Sequence, residues 1–187
     1  GTLFRPNTKF WFSVGTRENA RVMVGLRHDA TQQQFRDRLN TLELEELLQC
    51  FRPRSHEAYF VPAGTVHALG AGNLIWEIQE RPEPPMVVSR WSEENPPPAE
   101  EQQQALESIY FQDRQVHRIS AEARTQDHTR RIPLLPHCPQ FVVEEIRVVD
   151  HLFARATGQS FHMLLVVSGQ IRCMAGGVDE TVGRGAV

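Results

Sequence analysis

Residues 59–79 constrain the fold of this chain more than any other stretch, because strand-like runs there alternate with residues that end strands. The aromatic and β-branched run 59–61 is followed at once by Pro62 and then by Gly64, and an alternating run resumes at 74–79. Proline removes a hydrogen-bond donor from a strand ladder, and glycine permits a sharp bend. The segment therefore predicts a strand, a tight turn and further strand.

The N-terminal part combines strands with a helical insert. Residues 9–14 and 21–26 are strand-like runs separated by a turn that contains glycine and asparagine, which predicts a β-hairpin. Thr31 and Gln34 have the spacing of a capping box, and apolar residues at helical intervals follow them. We therefore expect two short helices within residues 31–50.

The pattern of turns divides the rest of the chain. Residues 86–91 follow a cluster of prolines and are expected to form an edge strand. The sequence predicts a first β domain over residues 1–91, a linker over 92–138 with a helix at 99–111, and a second, incomplete β unit over 139–187. Strands of the second unit are expected at 141–149, 152–157, 161–167 and 171–175. Many short strands with Gly and Pro turns favour a mainly β fold with closed or sandwiched antiparallel sheets.

Composition and charge exclude several classes of protein. A hydrophobic fraction of 40% and a charged fraction of 23% are typical of a folded globular chain. The formal net charge is −3 and the arginines are spread along the sequence, so we expect neither a nucleic-acid partner nor a membrane partner. No apolar run approaches the roughly 20 residues of a membrane span and no signal peptide opens the chain, which predicts a cytoplasmic protein. Cys50, Cys138 and Cys173 are widely spaced, which predicts reduced thiols and neither a disulfide framework nor a thiolate zinc site.

Residues 60–79 closely resemble the signature of the phosphomannose (mannose-6-phosphate) isomerase family, in its short bacterial type I form. In that family a strand ends in Pro-Ala-Gly, the next strand carries a metal-binding histidine into a barrel, and a Glu-Ile-Gln strand lies beside the active site. Here Pro62, Gly64, His67 and Glu77 occupy the matching places. The resemblance implies a cupin fold, which is a jelly-roll-like antiparallel β-barrel, and a zinc cofactor with His67 as a ligand. Neutral imidazole is a good zinc ligand.

The resemblance extends over most of the chain. Residues 9–12 resemble the family strand that carries Lys, Glu and Trp, and residues 24–26 precede a two-helix insert as in bacterial members. Residues 105–109 resemble a later helix, and residues 161–164 resemble part of the C-terminal cupin unit. The match leads us to expect a divergent member that lacks segments at both ends.

The zinc site that the resemblance implies is expected to be degenerate. The family's ligands are a Gln and a His from an earlier strand, a Glu from the Lys-x-Glu-x-Trp strand, and the histidine matched by His67. Lys9 stands two residues before Trp11, where the family has that Glu, and a shifted alignment instead matches Lys9 to the family's active-site Lys. Zinc takes three or four protein ligands as a rule, so we expect weak zinc binding or none. His56, in a turn near the motif, is an alternative ligand.

Three residues are predicted to serve catalysis by this resemblance. Glu77 aligns with an active-site carboxylate and is expected to act in acid-base chemistry, although a strand Glu that faces solvent or pairs with an Arg is the alternative. Lys9 or Arg90 is expected to face a sugar phosphate. Arg90 is displaced by two positions from the family's Arg, and an even shift keeps a residue on the same face of a strand.

The functional prediction follows from these matches. We expect a protein of the mannose-6-phosphate isomerase family, acting on mannose 6-phosphate and fructose 6-phosphate, with impaired chemistry. The alternative is a non-catalytic cupin with a sugar-binding or oligomerisation role, because fold and function separate easily. A metal-dependent oxygenase would need two histidines and a carboxylate in a facial set, which the spacing around His67 does not supply. The expected partner is a small sugar phosphate, and a homodimer is left open.

Overall fold

The mainly β class predicted from the sequence is confirmed. The structure is a computed structural model, and it describes residues 6–82, 86–91, 94–113, 115, 118–119, 129–135, 138–153 and 158–187. Within these residues strands outnumber helices, and every strand pair with a defined register is antiparallel.

The elements of the described chain follow one another as a β-rich part, a helix and further strands. The first part contains β1 (Lys9–Thr16), β2 (Val22–Leu26), α1 (Gln32–Asp37), a 3-10 helix (Leu42–Leu47), β3 (Leu48–Phe51), β4 (Ala58–Val61), β5 (His67–Leu69) and β6 (Asn73–Gln79). It is followed by α2 (Ala99–Ser108), β7 (Arg118–Ile119), β8 (Arg130–Leu135), β9 (Val143–Arg147), β10 (Gln170–Ala175) and β11 (Val178–Gly183).

The backbone forms two compact units. The first contains the described residues of 1–125 and 131–145, and the second contains those of 126–130 and 146–187. The domain boundaries that the sequence suggests, after residues 91 and 138, stay a prediction.

The core of the first unit lies between two sheets. One sheet has the strand order β6-β1-β4-β7, and the other has the order β3-β2-β5. Trp11, Tyr59 and Val61 of the first sheet pack in one buried cluster with Val22 and Val24 of the second. Because side chains alternate between the two faces of a strand, every second residue of these strands points to this core.

The helical insert is confirmed, with one change of helix type. Thr31 and Gln34 form the predicted capping box, since each side chain accepts a hydrogen bond from the other residue's backbone N–H. The second segment is a 3-10 helix that ends at Leu47, because Leu48 begins β3 and pairs with Leu26 of β2. The helix expected over residues 99–111 ends earlier, at Ser108.

The hairpin predicted for residues 9–14 and 21–26 is wrong. β1 lies between β4 and β6 in one sheet, and β2 lies between β3 and β5 in the other. Both hydrogen-bonding edges of β1 are therefore taken, and the turn after Thr16 carries the chain from one sheet to the other. Two neighbouring strand-like runs pair in most folds but not in all of them, and the turn sequence does not distinguish the two cases.

The edge strand predicted for residues 86–91 is also wrong. Trp91 has a φ of 58°, in the left-handed region. Ser89 Oγ accepts hydrogen bonds from the backbone N–H groups of Asn40, at 3.1 Å, and Trp91, at 3.2 Å. Val88 and Trp91 pack against the hydrophobic cluster of the helical insert. Side-chain packing and a local turn thus take the place of ladder pairing.

The strand predicted at 161–167 is wrong, and the hairpin of the second unit lies after it in the chain. Residues 161–167 do not form a regular strand, although the backbone N–H of Val166 donates to the carbonyl oxygen of Ala186 at 3.0 Å. The hairpin is instead formed by β10 and β11, around Gly176 and Gly177. Both glycines have positive φ, of 57° and 87°, which a two-residue hairpin turn requires.

Two other expectations fall partly outside these observations. The strand predicted at 152–157 lies largely on residues that the structure does not describe. In the part of the chain that it does describe, there is no helix of the length and apolarity needed to cross a membrane.

Candidate functional site

Strand register brings four side chains of the first unit to one place. Trp11 of β1 lies directly opposite Glu77 of β6, and His67 of β5 lies opposite Val24 of β2. Trp11 and Val24 belong to the core between the sheets, so their cross-strand neighbours Glu77 and His67 share that inner face. Lys9 is two residues from Trp11 and lies on the same face as well. We call Lys9, Trp11, His67 and Glu77 the Trp11 cluster.

The Glu77 carboxylate is held by two donors from β1. Trp11 Nε1–H donates to Glu77 Oε2 at 2.6 Å, and Lys9 Nζ lies 3.3 Å from the same oxygen. The Lys9 side chain is 10% exposed and the Glu77 side chain 37% exposed. A lysine this buried is rare without a paired anion, so the ion pair accounts for the position of Lys9. Glu77 lies at the wetter edge of the cluster.

His67 is oriented by the turn that precedes β5. Its Nδ1 lies 2.8 Å from the carbonyl oxygen of Thr65. A carbonyl only accepts, so Nδ1 carries the proton and Nε2 keeps a lone pair. The His67 ring meets the Trp11 ring edge-on, with 5.2 Å between the centroids. Burial lowers the pKa of His67 below its ordinary value and the nearby Lys9 ammonium acts in the same direction, so the imidazole is neutral at pH 7.

The turn at residues 62–64 is fixed by the end of α2. Gly64 has a φ of +83°, and a Cβ atom there would lie 3.0 Å from the carbonyl oxygen of Ser108. The backbone N–H of Tyr110 donates to the carbonyl oxygen of Gly64 at 2.9 Å. Glycine is therefore needed both for the backbone angle and for the close approach of α2. The sequence predicts the bend but carries no sign of this contact.

Two other candidates from the sequence contact residues outside the cluster. Arg90 is exposed, is not on a strand, and donates to Asn95 Oδ1 at 3.3 Å, so the strand-face argument for it is wrong. His56 has a φ of 69° and its ring packs edge-on against Phe12, which alternates with Trp11 and faces the other side of β1. The structure brings together Lys9, Glu77 and His67, but not Arg90 or His56.

A second buried charge has a structural place. Glu57, just before β4, is 2% exposed, and its carboxylate accepts from the Arg118 guanidinium, the Tyr59 hydroxyl and the Arg54 backbone N–H. Burial raises the pKa of Tyr59 well above its ordinary value, and the negative charge of Glu57 acts in the same direction. Arg118 belongs to β7, so this group anchors β7 on β4.

The donor set of the Trp11 cluster does not fit a zinc ion. The cluster offers one imidazole and one carboxylate, and its third ionisable group is an ammonium, which cannot donate a lone pair. No group of three or more His, Cys, Asp or Glu residues with the geometry of a metal site occurs among the described residues. His67 has the orientation of a zinc-ligating histidine, because its Nδ1 is fixed by the Thr65 carbonyl, as in second-shell arrangements around metals.

Sequence reasoning found three members of the cluster but missed the contact that joins them. Trp11 appears in the sequence only as part of a family motif, and its hydrogen bond to Glu77 depends on the pairing of β1 with β6. The alternation of Lys9 and Trp11 along β1 was the available signal that they share a face. The strand opposite them could not be read from the sequence.

Comparison with known proteins finds partial matches to mannose-6-phosphate isomerases. No family model matches the chain. It is 30% identical over 73 residues to the probable mannose-6-phosphate isomerase GmuF of Bacillus subtilis, and 31% identical over 74 residues to the mannose-6-phosphate isomerase ManA of the same organism. Each match covers 39% of this chain and 23% of the relative, so the matched part spans about a quarter of the length of these relatives.

A solved structure shares the fold. The crystal structure of the mannose 6-phosphate isomerase from Bacillus subtilis matches 96% of this chain and 57% of its own, with a TM-score of 0.66 and 17% sequence identity. The cupin fold and the resemblance to mannose-6-phosphate isomerases, both expected from the sequence, are confirmed.

Proposed function

From this likeness to mannose-6-phosphate isomerases, we propose that the chain binds a sugar phosphate at the Trp11 cluster and retains at most weak isomerase activity. The observation that supports it is the convergence of Lys9, His67 and Glu77 around Trp11 on the inner face of the sheets. An ammonium, a neutral imidazole and a carboxylate can together contact several oxygens of a small polar ligand.

The chemistry of an aldose-ketose isomerisation assigns a role to each of these groups. Glu77 is the base that moves a proton between C1 and C2, because its Oε2 is held by Trp11 and Lys9 while the carboxylate reaches solvent. His67 Nε2 is the acceptor for a sugar hydroxyl. Lys9 supplies positive charge for the oxygens that become negative in the transition state. Zinc provides that charge more strongly where it is bound, and the donor set here does not fit it.

Weak activity is proposed because one ammonium replaces a Lewis acid. Each 1.36 kcal/mol of lost transition-state stabilisation lowers the rate by about tenfold, and a metal ion contributes several kcal/mol. Arg90, as a contact for the phosphate group, stays a prediction, since it lies on an exposed segment. Arg90 would contact the phosphate group if the bound sugar phosphate extended from the cluster toward solvent.

The proposal is tested by binding and turnover measured on the same preparation. Isothermal titration with mannose 6-phosphate is expected to show 1:1 binding that Glu77→Gln or Lys9→Met weakens at least about tenfold, equal to the 1.4 kcal/mol of one charge-assisted contact. Glu43→Gln, which alters an exposed residue of the insert, is the matched control. A coupled assay is expected to give a turnover number well under about 1 per second.

Two results would contradict the proposal. Absence of binding at millimolar sugar phosphate removes the ligand site. Stoichiometric zinc together with a turnover number of about 1 to 1000 per second removes the statement that activity is weak.

The second candidate function is a non-catalytic sugar-binding cupin. The composition of the Trp11 cluster favours it, because an ammonium and two hydrogen-bond acceptors, the Glu77 carboxylate and His67 Nε2, suffice to bind a polar ligand without chemistry. Measurement of turnover distinguishes this candidate function from the first. Binding of mannose 6-phosphate with no turnover above that of Glu77→Gln identifies the non-catalytic protein.

A further inference from the structure

The Lys9 ammonium occupies the charged centre of the Trp11 cluster. Its Nζ lies 3.3 Å from Glu77 Oε2, and its side chain is 10% exposed. The register of β1 with β4 and β6 fixes its direction, because Lys9 lies opposite Val61 on one side and Gln79 on the other. We infer that Lys9 is the resident cation of this cluster and that it keeps divalent metal ions from binding to His67 and Glu77.

Geometry already supplies the other requirements of a metal site. His67 has its Nδ1–H fixed on the Thr65 carbonyl and presents Nε2 with a lone pair, as a zinc-ligating histidine does. Glu77 is oriented by the indole N–H of Trp11. Two ligands are therefore in place on the inner face of the sheets. A third metal ligand is missing. Residue 9 could supply it, because its side chain already reaches the Glu77 carboxylate.

Electrostatics explains why a lysine at this position excludes a metal ion. A divalent cation bound by Glu77 would lie within a few ångströms of an ammonium that the fold cannot easily release to water, and repulsion between charges increases as the surroundings become drier. The ammonium also neutralises the carboxylate that a metal would need. Lysine at position 9 therefore has two effects. It supplies no lone pair to a metal ion, and it places a positive charge beside the positive charge of the ion.

Position 9 accordingly decides whether the cluster is a metal site. Replacing Lys9 with Glu changes the local charge by two units and completes a set of one histidine and two carboxylates, which is a sufficient protein ligand set for zinc. This inference differs from the proposed ligand site, because it concerns the binding of zinc and not the binding of a sugar phosphate. A failure to bind sugar phosphate leaves it untouched.

The experiment is a zinc titration of the full 187-residue chain against a chromophoric chelator, for the wild type and for Lys9→Glu, Lys9→Met and His67→Ala. Zinc held by other histidines appears equally in His67→Ala and is subtracted. Lys9→Glu is expected to bind one zinc at least about 100-fold more tightly than the wild type, and Lys9→Met about tenfold, since methionine removes only the repulsion. Cobalt substituted into Lys9→Glu is expected to give the visible absorption of a four-coordinate ion.

The controls separate a local site from a general effect of charge. Arg17→Glu makes the same change in net charge at the residue that follows the end of β1, and it should leave zinc affinity at the wild-type level. In the Lys9→Glu background, His67→Ala and Glu77→Gln should each remove the gain. Circular dichroism establishes that each variant is folded, and Lys9→Met decides the question if Lys9→Glu does not fold.

The inference is overturned by either of two outcomes. One is wild-type protein that binds one equivalent of zinc through His67, lost in His67→Ala. The other is a folded Lys9→Glu variant, or a folded Lys9→Met variant where Lys9→Glu does not fold, that binds zinc no more tightly than Arg17→Glu.

Discussion

The hydrogen bond from Trp11 to Glu77 is the contact on which the geometry of the cluster depends, and a double-mutant cycle measures it. Trp11→Phe removes the indole N–H and keeps an aromatic ring in the core. Glu77→Met removes the acceptor and keeps a side chain of similar length. The smaller ring leaves a cavity, and Lys9 loses its partner, but each of these effects occurs in both arms of the cycle and cancels.

The expected coupling follows from the bond and its exposure. The 2.6 Å contact is a hydrogen bond to a charged acceptor, a type that contributes about 1.5 to 3 kcal/mol in proteins. Glu77 is 37% exposed, so water replaces part of the lost interaction when the indole is removed. We therefore expect a coupling free energy of about 1 to 2 kcal/mol, which is a factor of roughly 5 to 30 in the folding equilibrium.

Urea denaturation followed by far-ultraviolet circular dichroism provides the four free energies of unfolding. Fluorescence is less suitable because Trp11→Phe removes one of the reporters. Additive single effects, with a coupling below about 0.3 kcal/mol, would falsify the pairing of β1 and β6 side chains on which the site is built. A change in the slope of the transition in any variant would invalidate the comparison for that variant, and Glu77→Leu then takes the place of Glu77→Met.

Three further predictions test a turn in each unit, the ion pair of Glu57 and the protonation of His67. Gly64→Ala should lower the free energy of unfolding by about 2 to 3 kcal/mol, because it combines a positive φ with crowding against Ser108. Gly177→Ala has a positive φ but open space around the new methyl group, so it should lower the free energy of unfolding by only about 1 kcal/mol. Glu57→Ala should lower the free energy of unfolding by about 2 kcal/mol, because it removes the buried acceptor of an ion pair whose other member, Arg118, is partly exposed to water. A loss under about 1 kcal/mol contradicts the anchoring role. The pKa of His67 is below 6.5 in the folded state, so the unfolded chain takes up its proton first as the pH falls, and stability should decrease below about pH 6.5. His67→Asn should flatten this decrease in urea midpoints between pH 7 and 5, and an unchanged pH profile contradicts it.

The sequence predicted the local features of the fold better than the pairing of strands. The capping box at Thr31 and the turn at Gly64 depend on a few neighbouring residues, and both are present. The hairpin expected before residue 26 failed because the partners of β1 are β4 and β6, which lie about 50 and 70 residues away in the chain. Local patterns report the presence of a strand, whereas long-range packing selects its neighbours.

The same distinction applies to the site. His67 and Glu77 were found because they occur in a motif, and Lys9 was found because it replaces a motif residue. The prediction that Arg90 lies on a strand face was wrong because residues 86–91 do not form a strand. Hydrogen bonds to Ser89 and the packing of Trp91 hold this segment instead. Two residues that are two positions apart lie on the same face only when both belong to a β-strand.

In β1, β2, β5 and β6 the apolar core residues and the charged residues are different residues. The chemistry of the site can therefore change while the fold of the protein is kept. Trp11 and Val24 fill the space between the sheets. Strand register places Glu77 and His67 beside them, and hydrogen bonds to the Trp11 indole and the Thr65 carbonyl then orient the two side chains. The charges on positions 9 and 77 then need only to neutralise one another, and a carboxylate at position 9 would be compensated by a bound metal as the ammonium is now compensated by Glu77. The ion pair and a metal site are therefore alternative ways of compensating the charge of the half-buried Glu77 carboxylate.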